Sequence, residues 1–183
     1  MKTLSLDRFA SPLGTILLVF EENRLRALDF EDYAPRMHRL LRQHYGAVVL
    51  ETAVAPAAIR EPLAAYFAGD LAALDAIAVE TAGTAFQRAV WTALRTIPPG
   101  VTTSYGRLAA TLGRPSAYRA VGMANGANPV GIVVPCHRVI GADASPTGYG
   151  GGIVRKVWLL EHEKGATPSA LTPRSLDGLG AAA

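Results

Sequence analysis

The first thirty residues alternate and cluster as short strands do. Gly14-Thr15-Ile16-Leu17-Leu18-Val19-Phe20 is an apolar run rich in β-branched residues. Glu22-Asn23 reads as a turn, and Leu25-Arg26-Ala27-Leu28-Asp29-Phe30 as the hairpin partner. After Pro35 the period changes: Met37, Leu40, Leu41 and His44 recur at helical spacing. Ile59, Leu63, Tyr66 and Phe67 predict a second helix that stops at Gly69. Pro62 falls inside that pattern, so the helix is expected to start near it or bend there.

The character of the chain shifts at Gly83. Thr84-Ala85-Phe86-Gln87 has the form of a capping box, and Phe86, Val90, Leu94 and Ile97 share one helical face before Pro98-Pro99-Gly100 ends it. Ser104 is placed to cap a further helix with Leu108 and Leu112 inward and Gly113 closing it. Pro115-Ser116 opens another, through about Ala124. The pair reads as a helix-turn-helix whose second helix carries Arg119 among small residues, although ordinary helix packing accounts for this segment equally well. Asn128-Pro129 breaks that helix. Ile132-Val133-Val134 then reads as a short buried strand leading into Pro135-Cys136-His137-Arg138-Val139-Ile140, followed by a polar loop and Gly148-Tyr149-Gly150-Gly151-Gly152. Residues 155–164 form a last helix. The expected class is α+β, with an amino-terminal α/β domain over 1–82, a mostly helical domain over 83–166, and a flexible tail over 167–183.

Charge refines this division. Residues 1–83 hold 8 basic and 11 acidic residues, whereas 84–166 hold 9 basic and 3 acidic. Like charge gathered in one half favours an anionic partner, and phosphate is the obvious one. Half the residues are apolar, which excludes a disordered chain, and a single cysteine excludes a disulfide framework or a Cys-rich zinc finger. No apolar run approaches the ~18 residues of a membrane span, and the start lacks a signal-peptide pattern. A soluble, cytoplasmic protein with no membrane contact is expected.

Cys136 stands out as a nucleophile. An ordinary thiol with a pKa near ~8.5 is only ~3% thiolate at pH 7, so a reactive cysteine needs help. His137 and Arg138 flank it in the basic half, and the end of an apolar strand would let a loop expose it. Neighbours on a strand point to opposite faces, so His137 reaches Cys136 only if the chain turns or a water bridges them. A carboxylate would fix the imidazole tautomer; Glu163 is the first candidate and Glu161 its competitor.

Pro135-Cys136-His137-Arg138-Val139 resembles the active-site motif of the O6-alkylguanine-DNA alkyltransferases. The resemblance extends over about residues 84–165, through Phe86-Gln87, Val90-Trp91, Ser104-Tyr105-Gly106, Arg119-Ala120-Val121-Gly122, Asn125, Asn128-Pro129, Thr147-Gly148-Tyr149, Gly151-Gly152, Arg155-Lys156 and Trp158-Leu159-Leu160. Ser11-Pro12-Leu13-Gly14 and Tyr66-Phe67-Ala68-Gly69 resemble the first domain of the bacterial constitutive members, which implies a ribonuclease H-like fold there.

The resemblance implies direct-reversal DNA repair, in which an alkyl group passes irreversibly from O6-alkylguanine in DNA to Cys136, once per molecule; O4-alkylthymine is left open as a second substrate. His137 would be the base, acting through a water, with Glu163 orienting it. Asn128 would tie the helix-turn-helix to the cysteine segment, and Tyr105 would donate to the departing guanine. Main-chain groups near Cys136, Val139 and Gly150 would read the guanine edge, with Tyr149 and Asn125 lining the pocket. Arg119 would fill the gap left by the extruded base. Ser116, Tyr118, Ala120, Gly122 and Arg138 would belong to the DNA contact in the minor groove. The implied protein is a monomer that needs no metal and no organic cofactor.

This chain departs from the family pattern in three places: Tyr118 stands where a small residue is usual, Asp143-Ala144-Ser145-Pro146 makes an unusual loop, and Gly150 hints at room for bulkier alkyl groups. A non-catalytic DNA binder and a Cys–His hydrolase are the competing readings.

Overall fold

The computed structural model describes residues 1–165, so the tail expected over 167–183 lies outside the described residues. The described residues form two compact units, 1–83 with 129–133, and 84–128 with 134–165.

The first unit is a four-stranded sheet. β1 (Lys2–Ser11), β2 (Gly14–Glu21) and β3 (Arg24–Phe30) run antiparallel in sequence, as the hairpin reading expects. α1 (Ala34–Tyr45) then crosses over so that β4 (Val48–Thr52) lies parallel to β1, in the order β3-β2-β1-β4. The apolar face of α1, through Met37 and Leu41, packs on Leu4, Leu17, Val19 and Ala27. Ile16, Leu18 and Leu28, on the opposite sheet face, are also buried. Burial on both faces is why Gly14–Phe20 reads as continuous apolar sequence and lacks strict alternation.

α2 (Ala57–Phe67) begins five residues before Pro62, with Ile59 and Arg60 N–H donating to the Pro56 carbonyl. Pro62 neither starts nor ends it. The bond the proline cannot make would have gone to the carbonyl of Ala58, an exposed residue where water can substitute.

The outer edge of β3 is covered by two passing segments. Leu25 exchanges backbone bonds with Ala78 and Glu80, and Leu28 with Pro129 and Gly131. Residues 129–133 therefore belong with the first unit although their neighbours on both sides belong to the second. The expected strand Ile132–Val134 is not one. Val133 N–H donates to Gly131 O at 2.7 Å, a three-residue turn centred on Ile132 at φ +66°. A β-branched residue rarely adopts this left-handed conformation, at a cost of about 1–3 kcal/mol, so the surrounding packing must impose it. Ile132 is completely buried.

The second unit is mostly helical. α3 (Ala85–Arg95) has the full capping box: Gln87 N–H donates to Thr84 Oγ1, and Thr84 N–H to the Gln87 side chain. Short strands β5 (Thr103–Ser104) and β6 (Val139–Ile140) pair in parallel. α4 (Tyr105–Thr111) is capped by Ser104, whose hydroxyl accepts from Arg107 N–H. Gly113 at φ +69° closes it with crossed bonds, Arg114 N to Ala109 O and Gly113 N to Ala110 O. A 3-10 turn at Pro115–Ala117 leads into α5 (Tyr118–Gly126), so this helix proper starts two to three residues later than its sequence suggests. Trp91 Nε1–H donates to Ala124 O and fastens α5 to α3. α6 (Ile153–Glu163) starts two residues before the expected Arg155. No helix among the described residues is long and apolar enough to cross a membrane.

Candidate active site

Cys136 opens a 3-10 turn, Cys136–Arg138, reached through a tight turn at Pro135 (φ −80°, ψ 63°) in which Cys136 N–H donates to Val134 O. This replaces the expected strand end. Three residues per turn send successive side chains in three directions, so Cys136, His137 and Arg138 point apart without alternating. Nor is Cys136 raised on an exposed loop: it is 5% exposed, so a reactant must enter the fold to meet it.

His137 and Arg138 converge on one carboxylate. His137 Nε2 lies 2.8 Å from Glu163 Oε1; Arg138 Nε donates to Oε2 and Nη2 to Oε1, both at 2.9 Å. Gly100 N–H donates to Oε2 at 3.3 Å, and Arg138 Nη1 donates to the Ile97 carbonyl. The geometry selects Glu163; Glu161 is exposed on another side of α6. Glycine is required at position 100, where φ is +75° and a Cβ would stand 2.9 Å from the Glu163 backbone oxygen.

All three side chains are buried. Burial by itself raises the pKa of Glu163, but His137 and Arg138 overcome it and hold the carboxyl well below its usual range. Burial lowers the pKa of His137 against the opposing pull of Glu163. One carboxylate and one guanidinium already cancel, and an imidazolium would add a third, unpaired buried charge. His137 is therefore neutral. With an ionised acceptor facing Nε2, the ring proton sits there and Nδ1 is left as the basic nitrogen. Nδ1 is buried with no hydrogen-bond partner.

Arg138 is thus no part of a DNA contact. Its guanidinium is consumed inside the domain, which corrects the DNA contact that the resemblance implies for it: an arginine beside the cysteine in sequence need not face solvent. Gly122 is likewise not turned outward, since a Cβ there would meet the Tyr105 ring at 3.7 Å. Ser116, Tyr118, Arg119 and Ala120 are exposed, with the Arg119 guanidinium 5.7 Å from the Tyr118 ring centroid.

The remaining predicted residues gather around the cysteine turn. Asn128 Nδ2 donates to Val134 O at 2.8 Å, and Asn125 Nδ2 to Cys136 O at 3.4 Å. The end of α5 is thereby tied to the turn from both sides. Tyr105 is half-buried and hydrogen-bonded to Thr147; burial raises its phenol pKa, so it remains an O–H donor at neutral pH. Tyr149 stands edge-on to the His137 ring at 6.4 Å, and Gly150 is half-buried.

Sequence reasoning missed Lys156. It is fully buried, and its ammonium donates to the carbonyls of Val139 (2.6 Å), Thr147 (2.7 Å) and Gly148 (3.4 Å). It joins the cysteine segment to the glycine-rich loop. It also engages the Val139 carbonyl expected to read guanine. A signal was available: Lys156, Leu159, Leu160 and Glu163 share one face at helical spacing, so a face bearing Glu163 inward also buries Lys156. Desolvation lowers its pKa from 10.5 to about 8, against the pull of Cys136. That attraction is mutual, so the ammonium favours the thiolate. Lys156→Met is expected to slow modification of Cys136 about 10²-fold through lost positioning. The ratio of wild-type to variant rates should hold below pH 8 and fall above it, as the ammonium loses its proton. A ratio constant from pH 6 to 10 would leave Lys156 a packing role only.

Among the described residues no group of three His, Cys, Asp or Glu side chains is arranged to hold a metal ion. Residues 85–165 match the DNA binding domain of 6-O-methylguanine DNA methyltransferase, and residues 7–81 its ribonuclease-like domain. The chain belongs to this family. It is a DNA-repair methyltransferase of the bacterial type, an enzyme that carries both of the family's domains. The methylated-DNA–protein-cysteine methyltransferase of Salmonella typhimurium is 54% identical over 160 residues, 86% of this chain and 94% of its own. The crystal structure of Mycobacterium tuberculosis OGT in complex with DNA is 41% identical, with a TM-score of 0.75 over 91% of this chain and 96% of that one. The O6-methylguanine-DNA methyltransferase of Pyrococcus kodakaraensis is 29% identical, with a TM-score of 0.71 over 87% of this chain and 98% of its own. The two-domain architecture read from the sequence agrees with these relatives.

Proposed function

We propose that this methyltransferase repairs O6-alkylguanine in double-stranded DNA by transferring the alkyl group to Sγ of Cys136, once per molecule. One observation carries the reading. The chain's only thiol is followed directly in sequence by a buried histidine whose Nε2 is held by the Glu163 carboxylate and whose Nδ1 has no hydrogen-bond partner, the arrangement of a neutral imidazole with Nδ1 as its basic nitrogen.

His137 Nδ1 takes the thiol proton, through a water, and the imidazolium that forms is stabilised by Glu163. The thiolate attacks the alkyl carbon; the C–S bond forms as the C–O6 bond breaks and its electron pair leaves with guanine. The Tyr105 hydroxyl donates to the departing base, and the proton held on His137 restores the phenol. The thioether product resists hydrolysis, and the chain has no second thiol for exchange. Hence the single turnover.

An oxygen inside a duplex is reached by extruding its nucleotide, at a cost of a few kcal/mol. On this reading α5 enters the minor groove with Ser116, Tyr118 and Ala120 against it and Arg119 in the vacated stack, while Val139, Tyr149, Gly150 and Asn125 line the pocket for the base. The protein acts as a monomer, in the cytoplasm.

The test is intact mass after exposure to a duplex containing O6-methylguanine. A lasting gain of one methylene mass on the Cys136 peptide, in about one equivalent per chain, is expected. Loss of the methyl group from DNA without a lasting adduct would overturn transfer in favour of hydrolysis. Arg119→Ala should slow reaction with the duplex about tenfold or more, well beyond its effect on free O6-benzylguanine, because only the duplex requires extrusion. Equal losses with both substrates would remove the wedge role.

A further inference from the structure

The outward face of α5 is almost bare. Val121, Ala124 and Asn125 are buried on its inner side. Arg119, Ala120, Met123 and Gly126 are exposed on the other, and Arg119 and Met123 fall four residues apart on the same stripe. Ala120 and Gly126 contribute a methyl group and a hydrogen. Met123 is 77% exposed, and nothing one turn away in either direction is an apolar side chain large enough to cover it. Tyr118 stands to one side, beneath the Arg119 guanidinium.

An isolated exposed apolar residue needs no explanation in general. The place of this one does. A helix pared down to hydrogen and methyl so that its backbone can come close to a surface carries two long side chains on that face, Arg119 and Met123. Both would have to be accommodated by whatever the helix meets. A thioether chain has three soft torsions and a polarizable sulfur, so it adapts to an irregular apolar surface at small cost. The floor of the minor groove, with its sugar edges and base rims, is such a surface, and methionine is among the apolar wedges used there.

We propose that Met123 is a second minor-groove element that props the duplex open beside the extruded nucleotide. The proposal rests on the reading above that α5 enters the groove. Four residues of helix rise about 6 Å, against roughly 3.4 Å per base step, so Met123 falls within one to two steps of Arg119. Arg119 fills the gap in the stack. Met123 presses on the neighbouring step and holds the groove wide there, so the stack does not close before the base is seated.

The chain supplies its own controls, since its three methionines differ in exposure: Met1 92%, Met123 77% and Met37 1%. Cys136→Ala protein, which cannot turn over, is treated with dilute peroxide alone and with excess duplex carrying O6-methylguanine, and sulfoxide is read by peptide mass. In free protein Met1 and Met123 oxidise and Met37 does not. With duplex, Met123 is expected to be protected at least about tenfold while Met1 still oxidises, as burial of the thioether requires. In the Cys136 protein, Met123→Ala should lower the ratio of duplex to free-base rates about three- to tenfold, and Met123→Leu should restore most of it. Alanine propagates a helix at least as well as methionine, so α5 is preserved. If Arg119→Ala impairs duplex reaction but Met123 stays unprotected, or Met123→Ala keeps the wild-type ratio, this proposal is overturned and the groove reading stands. If neither Arg119→Ala nor Met123→Ala lowers the ratio, the groove reading fails with it.

Discussion

Glu163→Gln should slow alkyl transfer to Cys136 by about 10²- to 10⁴-fold, the range expected when a positioned base is lost. Glu163 takes bonds from His137, both sides of Arg138 and Gly100 with its two oxygens. Glutamine keeps the shape but replaces one acceptor oxygen with a donor. If the amide nitrogen takes the Oε1 position, its N–H₂ faces His137 Nε2 as well as Arg138 Nη2, and the ring proton moves to Nδ1. Nδ1, the nitrogen that would take the thiol proton through a water, then donates and can no longer accept. If the amide turns the other way, its N–H₂ opposes Arg138 Nε and the Gly100 N–H instead. Single-turnover kinetics on an O6-methylguanine duplex measure the loss, with equilibrium DNA binding as the control for a folded protein. An unchanged transfer rate would take Glu163 out of the chemistry and leave it a structural anion.

Arg138→Met is the second. It should lower folding stability by about 3–5 kcal/mol at neutral pH, because it strands a buried carboxylate without its guanidinium. For a chain of this size that is roughly 6–20 °C in Tm. The pH dependence separates this cause from simple loss of packing. In the wild type, Glu163 is held below its ordinary pKa, so its contribution is present above pH 4.5 and is lost as acid protonates it. In the variant, burial is opposed only by His137 and Gly100 and no longer by the guanidinium, so that pKa rises and acid relieves the stranded charge. The gap between the two proteins should be widest near neutrality and narrow below about pH 5. DNA affinity should keep its salt slope, whereas removing one phosphate contact would reduce that slope by about one. A shallower slope with undiminished stability would return Arg138 to the surface.

These two outcomes turn on side chains that sequence reading treated unequally. Thr84 to Gln87 and Ser104 to Arg107 are local arrangements, satisfied within four residues, and both caps form as written. The helical stripe of α1 and the hairpin of β2 and β3 depend on period alone, and they too were legible. Position on the helix ranks Glu163 ahead of Glu161 without separating them, and the resemblance implies Glu163. Arg138, Lys156 and Gly100 were misjudged or passed over because their partners lie elsewhere in the chain: Arg138 on Ile97 and Glu163, Lys156 on Val139 and Thr147, Gly100 on Glu163. Ile132–Val134 misled for a related reason. An apolar run announces burial, but strand and buried turn bury equally well, and only the pairing of Leu28 with Pro129 and Gly131 requires the chain to turn there.

Periodicity, caps and the lone thiol in its five-residue motif are properties of neighbouring residues, and from them the sequence by itself determined the order of elements, the family and the candidate nucleophile. Tertiary structure alone decided which charges are spent inside and which remain for a partner. Arginine and lysine read identically on the page whether they face water or a carbonyl. The distinction is made by desolvation, which no local pattern records: a buried cation persists only where chain from far away supplies its acceptors, as Glu163 does for Arg138 and three carbonyls do for Lys156.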